Sequence, residues 1–223
     1  MKVLRLAIVG LVLVAVIAVA ASTFLRRAED ARRAGSARNL RQWGIALNLY
    51  LIDNKNQLPG TGSVPVSAEQ EDAWFNALPP YISQKPLTDL PAGERPRPGV
   101  PSLWVDHATK PVRAWDPEVF YFNYAMNSAL QPEKDIRSFR IYEIPHPAHT
   151  VFLSEVEGFE PSAGPEDVVF RHGSPRQTSP EAMAHVLFCD GHVQLVNRSE
   201  LVDDPDSRRA SAAEAGKLSW FME

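Results

Sequence analysis

The N-terminal quarter of the chain carries a hydrophobic pattern that changes character half-way along. Residues 6–25 form a run without a charged side chain. As a helix, such a run spans about 30 Å, the thickness of the hydrocarbon core of a bilayer. The pattern then becomes amphipathic, with apolar residues at spacings of three and four that form one helical stripe: Leu40, Trp43, Leu47 and Tyr50 or Leu51. No proline precedes Pro59. The sequence therefore predicts one continuous helix from about residue 4 to about residue 54.

Two interpretations fit the apolar run. Its length and its apolar character on all sides favour a single-pass membrane anchor. The alternative is a secretory signal peptide, since Lys2 and Arg5 precede the run and Ala18-Val19-Ala20 fits the small-x-small cleavage pattern. Cleavable apolar cores usually extend over about 7–15 residues, which is shorter than this run. The anchor is therefore the favoured interpretation.

Beyond the helix, the pattern predicts irregular structure and then short strands. Residues 57–117 hold 11 of the chain's 19 prolines, a density that interrupts regular structure, and only residues 73–82 are expected to form a short helix. Six later segments are rich in Val, Ile, Phe and Tyr and are bounded by turn residues, which predicts strands: 119–125, 139–144, 150–155, 168–172, 185–189 and 192–196.

The strongest hairpin signal is Asp190-Gly191 between two apolar runs. Asp-Gly suits a two-residue type I′ turn, in which both residues take positive φ. That turn pairs Cys189 with His192. One face of the hairpin would then carry four apolar residues: Val186, Phe188, Val193 and Leu195.

These elements predict an α+β fold, in which one long N-terminal helix, half membrane segment and half amphipathic, packs on a small antiparallel β-sheet. Residues 1–25 form the transmembrane or signal-anchor segment, and residues 26–56 form its amphipathic extension. Residues 57–118 are the proline-rich irregular region of the ectodomain. Residues 119–223 are the antiparallel, β-rich part of the same domain.

Charge divides the chain in the same way. Lys and Arg number 23 and Asp and Glu number 27, for a formal net charge of −4, which removes any whole-chain case for nucleic-acid binding. Eight basic and only two acidic residues lie within the first 41 positions, so a basic head precedes an acidic body. Arg26, Arg27, Arg32 and Arg33 follow the apolar run, and the positive-inside rule then places the body in the cytoplasm.

The sequence offers little catalytic chemistry. The single cysteine, Cys189, excludes an internal disulfide and a Cys-based zinc finger, and within an apolar run it is expected to behave as a small hydrophobe. His172, His185, Asp190 and His192 are the only residues that suggest a metal site. In a regular hairpin His185 and His192 lie about 13 Å apart, too far to share an ion, and Asp190 is explained as a turn residue. We therefore expect no catalytic, cofactor or metal site.

The five tryptophans are predicted to be core or interface anchors rather than the lining of a glycan groove: Trp43, Trp74, Trp104, Trp115 and Trp220. The C-terminal tail, with Leu218, Trp220 and Phe221, is expected to pack back onto the domain.

Four segments, in order along the chain, resemble a large bacterial family of pseudopilin-like proteins. Residues 34–50 (AGSARNLRQWGIALNLY) resemble the family's NLRQIGLALxxY stretch, and residues 53–59 (DNKNQLP) are similar to its DDNNGRLP helix exit. Residues 124–127 (YAMN) are similar to its Y-x-MN segment, and Arg171-His172 with residues 186–193 (VLFCDGHV) resemble its C-terminal H-X9-DG signature. The matching positions are Asn39, Leu40, Arg41, Gln42, Tyr50, Tyr124, Met126, Asn127, His172, Asp190, Gly191 and His192.

Two features depart from the family pattern. The family's prepilin-type helix begins with a glycine cleavage site followed by Phe-Thr-Leu-Ile-Glu, whereas here the fifth residue after Gly10 is Ala15 and the first carboxylate is that of Glu29. The interval between His172 and Asp190 covers positions 173–189, which is longer than the nine positions of the signature. Positions 174–181 account for the difference as an eight-residue loop insertion.

The resemblance implies a pilin-like fold and a non-enzymatic, membrane-anchored structural or assembly component of a type II secretion or pilus-like system. It also implies a single pass through the bacterial inner membrane, with the C-terminal domain in the periplasm, against the arginine count. The expected partners are inner-membrane lipid and other pseudopilin or secretion-system subunits, with no nucleic acid and no evident small-molecule substrate. The alternative is an exported soluble binding module or hydrolase, released by signal-peptide cleavage near Ala20.

Overall fold

The structure, a computed structural model, describes residues 2–131, 138–174 and 176–200. The predicted long helix is confirmed, since helix α1 spans Lys2–Asp53 without a break. It ends just before Lys55 and Asn56, whose φ angles of 56° and 62° are incompatible with a right-handed helix. The predicted stripe is the buried one, because Leu40, Trp43 and Leu47 are 0% exposed.

Within the described residues, five strands form one sheet. They are β1 (Tyr124–Asn127), β2 (Val151–Glu155), β3 (Ser162–Ala163), β4 (Met183–Phe188) and β5 (Val193–Asn197). Their order in the sheet is β3-β1-β2-β4-β5. The pairs β1–β2, β2–β4 and β4–β5 are antiparallel, whereas β3 pairs with β1 in parallel. The α+β class is confirmed, but the sheet is mixed, so the expected antiparallel arrangement is wrong at the β3 edge.

Two of the predicted strands are wrong, and a third, 119–125, is displaced, because β1 covers Tyr124–Asn127. Part of the segment 139–144 forms a 3₁₀ turn, Ile141–Glu143. The segment 168–172 forms one bridge with the sheet, between His172 and Met183, and one further backbone hydrogen bond, from Val169 to the carbonyl of Glu155 at 2.9 Å. Val168 and Phe170 in that segment belong to a buried cluster with residues of β4 and β5, so their apolar character reflects burial rather than strand pairing.

Most of the proline-rich region adopts turns. The expected short helix over residues 73–82 is present as one α-helical turn, α2 (Trp74–Ala77), followed by a 3₁₀ turn, Pro79–Ile82. Another 3₁₀ turn spans Leu87–Asp89. Residues of these turns join those of α1 and of the sheet in one hydrophobic core.

The β4–β5 hairpin differs from its prediction by one residue. The backbone N–H of Phe188 donates to the carbonyl of His192 at 2.9 Å, so three residues rather than two form the loop. Gly191 has a φ of 91°, but Asp190 does not take positive φ, so the turn is not of type I′. The Asp190 carboxylate accepts the backbone N–H of His192 at 3.0 Å. Val186 consequently lies opposite Gln194.

The expected apolar face of the hairpin is therefore wrong. In antiparallel strands, directly paired residues point to the same face. Leu187 pairs with Val193, and His185 pairs with Leu195. These four residues share one face, whereas Val186 and Phe188 point to the other.

Helix α1 lies across the Leu187 face of the sheet. The closest approach is at Gly44, where an added Cβ would lie 2.7 Å from the carbonyl oxygen of Gly191 and 3.1 Å from Leu187 Cδ1. The rings of Trp43, Trp74 and Trp104 meet in the adjoining core, with centroids 4.8 to 6.0 Å apart. The core role predicted for these three tryptophans is confirmed, whereas the predicted packing of the tail (Leu218, Trp220, Phe221) lies outside the described residues.

Helix α1 is exposed from Gly10 to Arg27. Leu11, Val14 and Phe24 are 72%, 64% and 72% exposed, so this stretch is not packed in a core. The described helix from Gly10 to Asp53 contains a segment long and apolar enough to cross a membrane. Membrane anchors and signal sequences share these properties.

A buried Glu-His-His cluster beneath the long helix

Three ionisable side chains converge on the face of the sheet that α1 covers. Glu155 ends β2 and shares a face with Leu153, because side chains alternate along a strand. His185 shares a face with Leu187 on β4 for the same reason. Leu153 pairs with Leu187, so two positions further along the antiparallel register Glu155 lies beside His185.

The third member, His172, reaches the same place from outside the strands. Its backbone exchanges two hydrogen bonds with Met183 at the start of β4, at 2.9 and 2.7 Å. His172 Nε2 lies 3.2 Å from Glu155 Oε1, and His185 Nδ1 lies 3.0 Å from the same oxygen. Glu155 and His172 are 0% exposed and His185 is 4% exposed. One carboxylate oxygen is therefore shared by two buried imidazoles.

A second layer of polar groups surrounds this cluster. Asp106 Oδ1 lies 3.7 Å from His172 Nε2 and accepts a hydrogen bond from the Ser36 hydroxyl of α1 at 2.5 Å. Asp106 Oδ2 lies 3.5 Å from Arg171 Nη1. On the other side of the imidazole, Glu29 Oε1 of α1 lies 3.6 Å from His172 Nδ1. Helix α1 thus contributes Glu29 and Ser36 to the surroundings of residues held by the sheet.

Burial and neighbouring charge shift the pKa values of these groups. Burial alone would raise the pKa of Glu155, but attraction and hydrogen bonding from His172 and His185 lower it to about 2. Burial alone would lower the pKa of His172, but Glu155, Asp106 and Glu29 raise it above its ordinary value. The pKa of Asp106 is raised, chiefly by burial and then by repulsion from Glu155. The cluster therefore favours a charged Glu155 beside a positive partner.

The geometry does not form a nucleophilic triad. The Ser36 hydroxyl donates to Asp106, so it is not aligned with an imidazole that would remove its proton. Cys189 lies just past the other end of β4 and is 0% exposed, and burial followed by the charge of Asp190 raises its pKa. A thiol in that state is a poor nucleophile.

Five of the residues that carry the family resemblance lie in the core. Asn39 Nδ2 donates to the Tyr124 hydroxyl at 3.3 Å, which ties α1 to β1. Leu40 and Met126 are 0% exposed. Asn127 Nδ2 donates to the carbonyl of Val151 at 2.9 Å. These positions hold the helix and the first two strands together.

The other resemblance positions are dispersed. Arg41 and Gln42 are exposed on α1, and the Tyr50 ring packs on that of Tyr81. Asp190 and Gly191 lie in the hairpin loop beyond the end of β4 and His192 directly follows it, whereas His172 is bonded to the start of β4. The structure therefore does not bring His172 and the Asp-Gly pair into one site.

Sequence reasoning misses Glu155, Asp106 and the pairing of His172 with His185. Glu155 lies in the predicted strand 150–155, and period-two alternation places its side chain on the face of Leu153. An acidic residue on an inward-facing strand position is the available signal. Asp106 lies in the proline-rich region, where no periodic pattern marks it as buried.

A cavity of about 600 Å³ opens beside the cluster. Glu29 and Arg171 line it together with an aromatic group formed by Trp115, Tyr121 and Phe159, whose ring centroids lie 5.0 to 5.6 Å apart. The cavity gives the polar layer around His172 a route to solvent.

Comparison with protein-family models, with curated proteins and with solved structures finds no match for this chain. The α+β arrangement and the long apolar helix are properties of the structure itself. The pseudopilin-like family and the pilin-like fold stay predictions, which rest on the four segments of resemblance.

Proposed function

We propose that the protein is a non-enzymatic, membrane-anchored structural or assembly component of a pilus-like or type II secretion system. The observation that supports this most directly is the continuity of α1. Residues 10–25 are largely apolar and exposed, and the second half of the helix packs on the sheet, with no break between them.

Continuity makes the helix a rigid connection. Its 52 residues measure about 78 Å. Gly35 and Gly44 leave the helix unbroken because both are packed against other parts of the domain: an added Cβ at Gly35 would collide with the ring of His107. A domain held in this way cannot tumble independently of its membrane segment, which suits a subunit whose orientation in an assembly matters.

A second observation supports assembly through α1. Ile45, Leu49 and Ile52 are 55%, 42% and 76% exposed, although they lie in the half of the helix that packs on the sheet. Their spacings of four and three place them on one face of the helix. This face, hereafter the outer stripe, is available to pack against another helix.

The proposed orientation places the domain in the periplasm and follows the resemblance rather than the arginine count. Arg32 and Arg33 lie 3.9 and 3.4 Å from Glu29, so at least two of the four arginines after the apolar run are paired within the helix. Acidic partners change the positive-inside count little, so the arginine count still opposes this orientation and a direct measurement of topology decides it.

Site-specific photo-crosslinking in native membranes tests the assembly role. A photoreactive amino acid at Ile45 or Ile52 samples the outer stripe. Val100 is the matched control, because it is an apolar residue of similar exposure, 53%, away from α1. We expect protein adducts from the outer stripe and none from Val100. Absence of adducts at both stripe positions, or equal adducts at Val100, contradicts the proposal.

Mass spectrometry of the native protein separates this proposal from the soluble alternative. An N-terminus upstream of Ala20 in the membrane fraction supports the anchor. A mature N-terminus at Ala21 in the soluble fraction supports an exported binding module or hydrolase and excludes the anchored subunit.

A further inference from the structure

The Glu155–His172–His185 cluster has the composition and spacing of a metal site. One ligand atom from each residue lies within 4.8 Å of the other two. We propose that these three residues bind one divalent first-row transition metal ion, zinc above all, between α1 and the sheet. The proposal replaces the sequence-based expectation of no metal site. That expectation rests on the distance between His185 and His192 and does not include the pairing of His185 with His172.

The spacing between ligand atoms fits tetrahedral zinc. Metal–ligand bonds of about 2.0–2.1 Å place tetrahedral ligand atoms about 3.3 Å apart. Glu155 Oε1 lies 3.2 Å from His172 Nε2 and 3.0 Å from His185 Nδ1. Two edges of the tetrahedron are therefore nearly in place, and the third, between the two imidazole nitrogens, is at most 4.8 Å. Two histidines and one carboxylate leave a fourth position for water.

The ligands are held in place by backbone structure. Glu155 pairs with Tyr124 of β1, His185 lies within β4, and His172 is fixed by two backbone hydrogen bonds to Met183. All three ligands come from segments joined in one sheet. Such a site loses little conformational freedom when the ion binds.

One unpaired oxygen points to a cation. Within the described residues, Glu155 Oε2 is buried and has no hydrogen-bond partner. A buried carboxylate oxygen without a partner carries a substantial desolvation cost. A metal ion beside Glu155 would offset that cost, because it withdraws negative charge from the whole carboxylate.

The cluster keeps an excess of negative charge that a cation would balance. Three carboxylates, those of Glu29, Asp106 and Glu155, lie within 3.7 Å of His172 nitrogens. Arg171 lies beside Asp106, and Arg33 lies 3.4 Å from Glu29 Oε1. With both imidazoles neutral, the charge of Glu155 is left. One imidazolium proton would balance the same charge, and Co²⁺ binding separates that state from a metal site.

The other imidazole nitrogen of His172 lies near a carboxylate of α1. With the metal on Nε2, Nδ1 lies 3.6 Å from Glu29 Oε1, and this nitrogen has no hydrogen-bond partner in the described part of the chain. A carboxylate that closes this gap to a hydrogen bond would orient the ring and strengthen its binding to the metal. The ion would then couple the sheet to α1, and the near-complete burial of its ligands favours a structural role.

The test uses the full chain in detergent, purified without a histidine tag and stripped with a chelator. Co²⁺ is the probe, because tetrahedral Co²⁺ has a characteristic visible spectrum, and zinc content is measured by mass spectrometry. Wild type should bind one equivalent of either ion. His185→Gln and Glu155→Gln should bind Co²⁺ more than about tenfold more weakly. His192→Gln, at an exposed histidine in the hairpin loop, is the matched control and should bind like wild type.

A second measurement, on the wild-type protein alone, tests the proposal even if the variants fail to fold. Zinc should raise the melting temperature of the stripped wild-type protein, and excess chelator should reverse the change, because an ion that binds only the folded state stabilises it. Failure of the wild type to bind Co²⁺ or zinc overturns the proposal in favour of a proton-balanced cluster. Wild-type binding by His185→Gln, or equal loss in His192→Gln, overturns the assignment of the ligands.

Discussion

Replacing Gly44 by alanine should destabilise the domain, although alanine is the better helix former. In an exposed helix the change would stabilise by about 1 kcal/mol. Here the new Cβ would lie 2.7 Å from the carbonyl oxygen of Gly191 and 3.1 Å from Leu187 Cδ1. The carbonyl cannot easily move, because the Gly191 N–H is bonded to the carbonyl of Phe188 at 2.9 Å and the φ of Gly191, 91°, belongs to a tight loop. The helix must therefore shift away from the hairpin.

Overpacking of this kind costs about 1–3 kcal/mol, so we expect a net loss of about 1 kcal/mol for Gly44→Ala and more for Gly44→Val. A loss of about 1 kcal/mol lowers the melting temperature by about 2–4 °C in a domain of this size. Thermal unfolding followed by tryptophan fluorescence measures it, since Trp43 is buried beside Gly44. Gly10→Ala is the control, because its Cβ would meet nothing within 4 Å. A higher melting temperature for Gly44→Ala would refute the close packing of α1 on the hairpin.

Three further predictions use the same structure. Gly191→Val should cost about 1–3 kcal/mol, because φ is 91°. Asp190→Asn should leave the melting temperature unchanged, since an amide oxygen also accepts the bond from His192, and a large loss would contradict the loop described. Trp43→Ala should cost about 3–5 kcal/mol in denaturant unfolding, and a loss below about 1 kcal/mol would contradict its place in the core. Because burial raises its pKa, Cys189 should resist alkylation of the folded protein even in alkaline buffer and react fully after unfolding; fast labelling of the folded protein would contradict its burial.

The sequence predicts the elements whose signals are long and local. Helix α1 is predicted to within a few residues because its apolar stripe persists over many turns and because no proline interrupts it. Strands β2, β4 and β5 are predicted for a similar reason, since each is a compact apolar run between turn residues. The segment 168–172 has strand-like composition but lies on the sheet with a single bridge to it, and composition reports burial rather than hydrogen bonding. The two-residue strand β3 is too short to leave a pattern.

The cluster cannot be predicted from the sequence because packing alone brings its members together. Glu155, His172 and His185 belong to three separate segments, and the insertion after His172 separates it from His185 along the chain. The one-residue error in the hairpin register comes from assigning positive φ to both turn residues. In the structure, Gly191 takes positive φ and Asp190 does not. The observed register pairs His185 with Leu195, on the face covered by α1.

The most direct test of the central claim, a helix that anchors the domain on the outer side of the inner membrane, is cysteine labelling in spheroplasts with a membrane-impermeant maleimide. The native thiol, Cys189, is 0% exposed and supplies the unlabelled background. Gly93→Cys adds an exposed thiol at a position where a Cβ meets nothing within 4 Å, and Lys2→Cys adds one on the other side of the apolar run. The account predicts that Gly93→Cys is labelled equally in intact and lysed spheroplasts, whereas Lys2→Cys is labelled only after lysis. Labelling of Gly93→Cys only after lysis would place the domain in the cytoplasm and contradict the account.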